Sequence, residues 1–156
     1  MNKIIFLTSL TLIMQSKANA QKVETVVPDK VQIAFKEKFP EAKKIAWEQE
    51  SDNEWEGQFK KKGVEYSANF NSDGEWIESE HEIKTSEIPS IVKNTLDAEF
   101  TGFKIEESEI AETASGTFYE FELENDDSEF EIVIDAAGKL VKNESENENE
   151  EEDDKD

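Results

Sequence analysis

The sequence contains no cysteine and no arginine, and its one histidine is His81. Without cysteine there are no disulfide staples, thiolate nucleophiles or cysteine-ligated clusters, and one histidine cannot build a multi-histidine zinc site. Positive charge is scarce, with 17 lysines against 39 acidic residues for a net charge of −22. A duplex binder needs clustered cations to displace phosphate counterions, whereas this chain is repelled by phosphate at long range. Nucleic acid is therefore excluded as a partner. No glycine-rich phosphate loop, serine nucleophile elbow or metal pair accompanies His81, so no catalytic residue is assigned and no cofactor is expected.

Long apolar runs are missing as well. The longest, Ile4 to Met14, falls well short of the roughly 20 residues a membrane helix needs. With Lys3 before it and Ala18-Asn19-Ala20 after it, the run has the pattern of a cleavable secretory signal over residues 1–20. The expected destination is the periplasm or the outside of the cell, with no membrane span left after cleavage. Lipid attachment there is excluded, because no cysteine follows the cleavage site.

What the chain has in abundance is carboxylate. Loss of Lys3 and Lys17 with the leader takes the charge from −22 to −24. Residues 143–156 hold nine acids, one lysine and no apolar residue. Such a segment can bury nothing and repels itself, so it is expected to be a disordered, solubilising tail. Weak binding of calcium or of a cationic partner is its alternative role.

Between leader and tail an internal repeat appears. VPDKVQIAFKEKF begins at Val27 and IPSIVKNTLDAEF at Ile88, an offset of 61 residues. Pro28 falls on Pro89, Val31 on Val92, Phe35 on Leu96 and Phe39 on Phe100. Proline in the first turn followed by apolar residues at helical spacing predicts two short amphipathic helices. Pro40 stops the first, and Thr101-Gly102 the second.

Downstream, the match resumes with Gly74 on Gly138, Tyr66 on Phe130 and Phe70 on Ile134, now offset by 64, so three residues are inserted near Lys104 to Ser108. Trp55, Gly57 and Phe59 alternate with Glu54, Glu56 and Gln58, and Tyr66, Ala68 and Phe70 with Glu65, Ser67 and Asn69. Period-two alternation predicts half-buried antiparallel strands. Lys62-Gly63, Ser72-Asp73-Gly74, Asp126-Asp127 and Ala136-Ala137-Gly138 read as hairpin turns. Ile45 to Gln49, and Glu109 to Glu112 with its approach, supply a further strand per unit. The expected fold is α+β, with two tandem helix-plus-antiparallel-meander repeats at 21–84 and 85–142 and the helices on one face of the sheet.

The tandem units, the proline at each helix start, Phe39-Pro40, Trp47 and the Asp73-Gly74-Glu75-Trp76 turn together resemble the bacterial PepSY-like family, also described as β-lactamase-inhibitor-like. The likeness spans roughly Val27 to Lys142. It implies an exported, non-catalytic protein with a sheet similar to that of β-lactamase inhibitor proteins. It carries over no catalytic residues, and the acidic tail lies outside it.

Hairpin arithmetic then places the second unit's side chains. A two-residue turn at Asp126-Asp127 makes partners sum to 253, setting Phe121 opposite Ile132 and Tyr119 opposite Ile134; the next turn makes them sum to 274, setting Ile134 opposite Leu140 and Val133 opposite Val141. One face is apolar and should meet a helix. The other sets Glu120 opposite Val133, and Glu122 opposite Glu131 and Glu124 opposite Glu129, the last two like-charge pairs that destabilise a sheet. In the first unit the position of Glu124–Glu129 is taken by the complementary Lys60–Glu65.

This open face is the candidate partner-binding surface, a small apolar patch of Phe118, Val133 and Val141, extended by Ile77 and rimmed by Glu120, Glu122 and Glu131. Its expected occupant is a cationic protein or peptide. The alternative is a calcium-binding or cation-buffering acidic envelope protein, with Asn71, Asp73 and Glu75 as weak metal ligands, although they lack calcium-loop spacing and turn geometry alone explains the aspartate and glycine there. The glutamates are expected to face water with none singled out, and His81 to lie at the surface. Trp47, Trp55 and Trp76 are expected to pack beneath the first helix, a stacking platform being the alternative. The Lys60-Lys61-Lys62 run serves a hairpin tip.

Overall fold

Proline sets both helix starts. In the computed structural model, which describes residues 26–126 and 128–145, Pro28 and Pro89 precede α1 (Asp29–Lys38) and α2 (Ser90–Glu99). Their carbonyls accept the first helical hydrogen bonds, from the Gln32 and Lys93 amides at 3.1 and 2.9 Å. Ten-residue helices are marginal alone in water, so burial of the apolar stripe must hold them. Val31 and Phe35 of α1 and Val92 and Leu96 of α2 are all buried. Both helices close alike, with the Phe39 and Phe100 amides donating to the Phe35 and Leu96 carbonyls.

Four strands follow each helix. The first set is β1 (Lys43–Ser51), β2 (Glu54–Lys61), β3 (Val64–Asn71) and β4 (Trp76–Glu82); the second is β5 (Lys104–Thr113), β6 (Gly116–Glu124), β7 (Glu129–Asp135) and β8 (Leu140–Ser145). All eight pair antiparallel in sequence order within one sheet. The ladder continues from one set into the other through β4 and β5, from Glu78 opposite Thr113 to Glu82 opposite Glu109.

Two apolar clusters hold the helices to the sheet. Val31, Phe35 and Phe39 of the first pack with Trp55, Phe59, Ala68 and Phe70, flanked by the partly buried Trp47, Tyr66 and Trp76. All three tryptophans thus belong to the α1 cluster, and the Lys38 Nζ sits 3.3 Å from the Trp76 ring centroid. The second cluster joins Ile88, Val92 and Leu96 to Phe121, Leu123, Phe130, Ile132 and Ile134.

The β3–β4 and β7–β8 turns share one chemistry. The Asn71 Oδ1 accepts from the amides of Asp73 and Glu75, each at 3.0 Å, and the Asp135 Oδ1 from those of Ala137 and Lys139, each at 2.9 Å. Gly74 and Gly138 then adopt φ of 85° and 82°. A Cβ at Gly74 would lie 2.7 Å from the Lys30 carbonyl oxygen, and one at Gly138 2.9 Å from the Ile91 Cγ1 and 3.0 Å from the Ile91 carbonyl oxygen. Each turn therefore presses on the first turn of a helix where only glycine fits.

Three expectations are corrected. Residues 143–145 belong to β8, opposite β7 as far as Phe130–Ser145; backbone pairing needs no apolar side chain, so the acidic composition does not end the strand. Residues 146–156 and the proposed leader lie outside the described residues. Val133 faces Lys142, not Val141, because the register shifts between Val133 and Ile134. Finally, the inserted residues do not lie near Lys104 to Ser108: Trp47 pairs with Gly57 and, at offsets of 61 and 64, Ser108 pairs with Phe121, so the three extra residues lengthen the β5–β6 hairpin between them. Among the described residues no helix is long and apolar enough to cross a membrane.

Gly74→Ala and Gly138→Ala should each destabilise the fold by about 1–3 kcal/mol through left-handed backbone strain and overpacking against the helix. Urea denaturation should give a lower midpoint for both, whereas Gly63→Ala, whose Cβ would meet nothing within 4 Å, should cost less.

Candidate functional site: a glutamate-lined sheet face

Side chains that pack against the helices alternate along each strand with a second set pointing the other way. Register joins this second set across the sheet. One row runs from Glu48 through Glu56, Asn69 and Glu78 to Thr113, and the next from Ser67 through Glu80, Ala111 and Phe118 to Asp135. A third runs from Glu82 through Glu109, Glu120 and Val133 to Lys142, and a fourth from Glu107 through Glu122 to Glu131. Carboxylates from six strands, β1, β2, β4, β5, β6 and β7, thus share one face.

Several are not wet. Glu56, Glu78 and Glu80 are only 5%, 3% and 8% exposed. Their strands lie inside the ladder, and neighbouring side chains on the same face cover them. Glu56 accepts a hydrogen bond from the Gln58 amide at 3.3 Å, and the Asn69 amide is turned to Glu54 at 2.8 Å. No hydrogen bond or ion pair among the described residues involves the side chain of Glu78 or Glu80, and the buried Oε1 of Glu120 has no partner.

Burial without a counter-cation raises the pKa. Desolvation, reinforced by Glu54, pushes Glu78 to about 7. Glu80, desolvated and facing Glu120, Glu78, Glu109 and Glu56, is pushed to about 9. Desolvation and neighbouring carboxylates bring Glu109 and Glu120 to about 7. Glu122 also reaches about 7, chiefly through a side-chain hydrogen bond with Glu129.

A cavity of about 430 Å³ opens beside these groups, with Ala46, Glu56, Gln58, Ser67, Glu80, Glu82, Glu107 and Glu109 among its lining residues. Lys44, Lys60 and Glu65 also line it, as do Phe59, Tyr66 and His81. Lys60 is paired with Glu65 at 2.5 Å, as the register predicts. His81 is half-buried rather than at the surface and stacks on Tyr66 with ring centroids 4.4 Å apart; burial lowers its pKa.

The residues singled out from sequence are only partly brought together. Phe118 and Val133 lie on the glutamate face but are buried with Ala111 in a small cluster of their own, so they form no solvent-facing apolar patch. Val141 is 43% exposed at the β7–β8 register shift and does not face Val133. Ile77, half-buried, sits at the β3–β4 shift. Glu120, Glu122 and Glu131 share the face as expected from the β6–β7 register. The weak metal candidates have turn roles: Asn71 caps the turn and donates to the Glu75 Oε2 at 2.7 Å, while Asp73 pairs with Lys30 at 2.6 Å.

Sequence reasoning missed Glu56, Glu78, Glu80 and Glu109. The usable signal was the parity of Glu78 and Glu80 along their strand, with no lysine on the facing positions of β3 and β5.

A sequence model of the family described as "Putative beta-lactamase-inhibitor-like, PepSY-like" matches residues 53–142. The fold is similar to that of a DUF2874 family protein from Bacteroides uniformis, at 18% identity and a TM-score of 0.71 over 77% of this chain and 90% of that one. A BLIP-like protein from Bacteroides fragilis is similar at 19% identity and a TM-score of 0.70 over 78% of this chain and 89% of that one. So is a protein from Bacteroides eggerthii described as a putative periplasmic protein, at 22% identity and a TM-score of 0.70 over 78% and 90%. No curated protein matches the sequence.

The raised pKa values give stability an unusual pH dependence. Folded Glu78, Glu80, Glu109 and Glu120 hold protons that the unfolded chain, titrating near 4.5, has already released. The contribution of these four groups is therefore fully present at and below about pH 4.5 and is lost as pH rises towards about 9. Melting should occur about 10 °C or more higher at pH 5 than at pH 8. Glu80→Gln should raise the melting temperature at pH 8 and change it little at pH 5, as scanning calorimetry will read.

Proposed function

The chain belongs to the PepSY-like, beta-lactamase-inhibitor-like family, and on that premise we propose that it is an exported, non-catalytic binding protein that takes a cationic segment of a protein partner on its glutamate face. Its place is the periplasm or the outside of the cell. The leader-like residues 1–20 support export, as does the periplasmic description of the Bacteroides eggerthii protein. This reading takes the two helix-plus-four-strand blocks as tandem repeats whose helices share one side of the sheet and leave the other free.

The observation that carries it is the pair Glu78 and Glu80, buried carboxylates with no ion-pair partner among the described residues. Ionising them unpaired is costly, which favours their protonated form, and a cation supplied by a partner removes that cost at the moment of binding. The carboxylates form a band over several strands rather than converging on one reacting point, which favours recognition of an extended positive segment over catalysis. Enzyme inhibition would be one form of such binding. Phe118 and Val133 support the face from within, and Glu120, Glu122 and Glu131 extend its charge.

The test is titration of the exported chain with a 12-residue alternating lysine–glycine peptide, against serine–glycine and glutamate–glycine controls. Saturable binding of the cationic peptide alone is expected, weakening as salt rises. The triple variant Glu120→Gln/Glu122→Gln/Glu131→Gln should bind about tenfold more weakly. Both proteins keep the acidic C-terminal run, so equal affinities would assign the binding to that run and overturn the reading.

One observation favours a second reading, a divalent-cation site on β1 and β2. Carboxylate oxygens of Glu48, Glu50 and Glu56 lie within 4.8 Å of one another. Calcium takes about six to eight oxygens, of which these supply part. A melting temperature raised by millimolar calcium, and not raised in Glu56→Gln, would support it; no response to calcium would dispose of it.

A further inference from the structure

We propose that the cavity beside Glu80 receives one organic cation, an alkylammonium or guanidinium group at the end of an extended chain. The proposal rests on the reading of the glutamate face as the binding surface and assigns the point within it where the positive charge enters.

Three observations converge on this cavity. Glu80 lines it, is 8% exposed, and has no hydrogen-bond or ion-pair partner among the described residues. The volume, about 430 Å³, falls in the range of small-molecule pockets, which is far more room than a bare ion needs. Besides the Lys60-paired Glu65 of β3, carboxylates reach it from three strands, Glu56 on β2, Glu80 on β4 and Glu109 on β5.

Spacing separates an organic cation from a metal. Adjacent strands lie roughly 4.8 Å apart, so carboxylates spread from β2 to β5 cannot close on one ion at about 2.4 Å. Among the described residues the group of acidic side chains close enough to share an ion is Glu48, Glu50 and Glu56, and Glu80 is not in it. A multi-donor ammonium or guanidinium can instead reach carboxylates on separate strands. Ser67, opposite Glu80, and Gln58 add neutral polar groups to the wall.

The charges around Glu80 set how binding couples to protons. Glu78 and Glu82 flank it on β4, Glu56 faces it from β2, Glu109 from β5 and Glu120 from β6. On the adjoining strands Ser67 and Ala111 stand opposite. The lysines at the cavity are Lys44 and Lys60, the latter paired with Glu65. Anions therefore dominate, and the empty site keeps its proton on Glu80. Entry of the cation stabilises the carboxylate, the carboxylic acid O–H bond breaks, and the proton passes to solvent as the ion pair forms.

Calorimetry on the exported chain at pH 7 tests this with two probes, an acetylated and amidated Gly-Arg-Gly peptide and spermidine, each in phosphate and in Tris. Proton release makes the observed heat differ between the buffers. At least one probe should bind with net release of protons, and Glu80→Gln should weaken it about tenfold and reduce that release, while Glu37→Gln on the exposed side of α1 should change neither. Tighter binding of the arginine peptide identifies a protein side chain as the natural occupant, and tighter binding of spermidine a free polyamine. If neither probe binds, or if Glu80→Gln binds with unchanged affinity and proton release, the cavity is not the receptor. The broader reading then stands or falls with the lysine–glycine peptide and its triple variant.

Discussion

The pairing of β4 with β5 is the joint on which the rest of the molecule depends. Each helix-plus-four-strand block has its own apolar cluster, yet a block of roughly 60 residues buries too little surface to be robust by itself. Through five cross-strand pairs, from Glu78–Thr113 to Glu82–Glu109, the inner edges of both blocks disappear into one ladder. Four exposed strand edges become two, β1 and β8, which removes sites for unwanted pairing. The joint also places β4 and β5 in the middle of an eight-stranded sheet, where Glu78, Glu80 and Ala111 of the glutamate face are buried.

That placement is the origin of the acidic site. A glutamate on an edge strand would remain hydrated, but Glu78 and Glu80 lie on a central strand, and Glu109 and Glu120 on the next two. Desolvation is the leading cause of the raised pKa of each. Exposed ion pairs such as Lys30–Asp73 and Lys93–Asp97 offset little of this, because water screens pairs at the surface. The fold draws its stability from Val31, Phe35, Val92, Leu96 and the aromatic and aliphatic residues beneath them, and carries the acidic face as a local cost.

Much of the fold was legible because its rules are local. Proline before an apolar stripe marked both helices, and Lys62-Gly63, with φ of 53° and 93°, makes the tight turn its residues imply. The β6–β7 register came out of turn arithmetic because the loop between Asn125 and Ser128 has two residues. The same arithmetic held at Ile134–Leu140 and failed one pair further on, where a bulge that leaves no turn-like signature moved Val133 to Lys142. The site was read less well. Its central glutamates depend on β4 meeting β5 across an intervening helix, and no hairpin connects those strands to announce their pairing. Phe118 and Val133 were assigned the correct face but the wrong exposure, since parity gives direction and says nothing of cover.

The neighbours-only order of the strands bears on how the chain reaches this state. Seven of the seven strand contacts join elements adjacent in the sheet and consecutive along the chain, which keeps contact order low for a protein so rich in β-structure and favours rapid folding. The β4–β5 ladder is the exception in one respect, since it joins strands separated by a helix rather than by a hairpin, and must close last within its neighbourhood if local pairs form first. Wherever the inner edge of β4 is open, Glu78 and Glu80 lie in water, and acidic side chains along an open strand discourage its pairing with another copy.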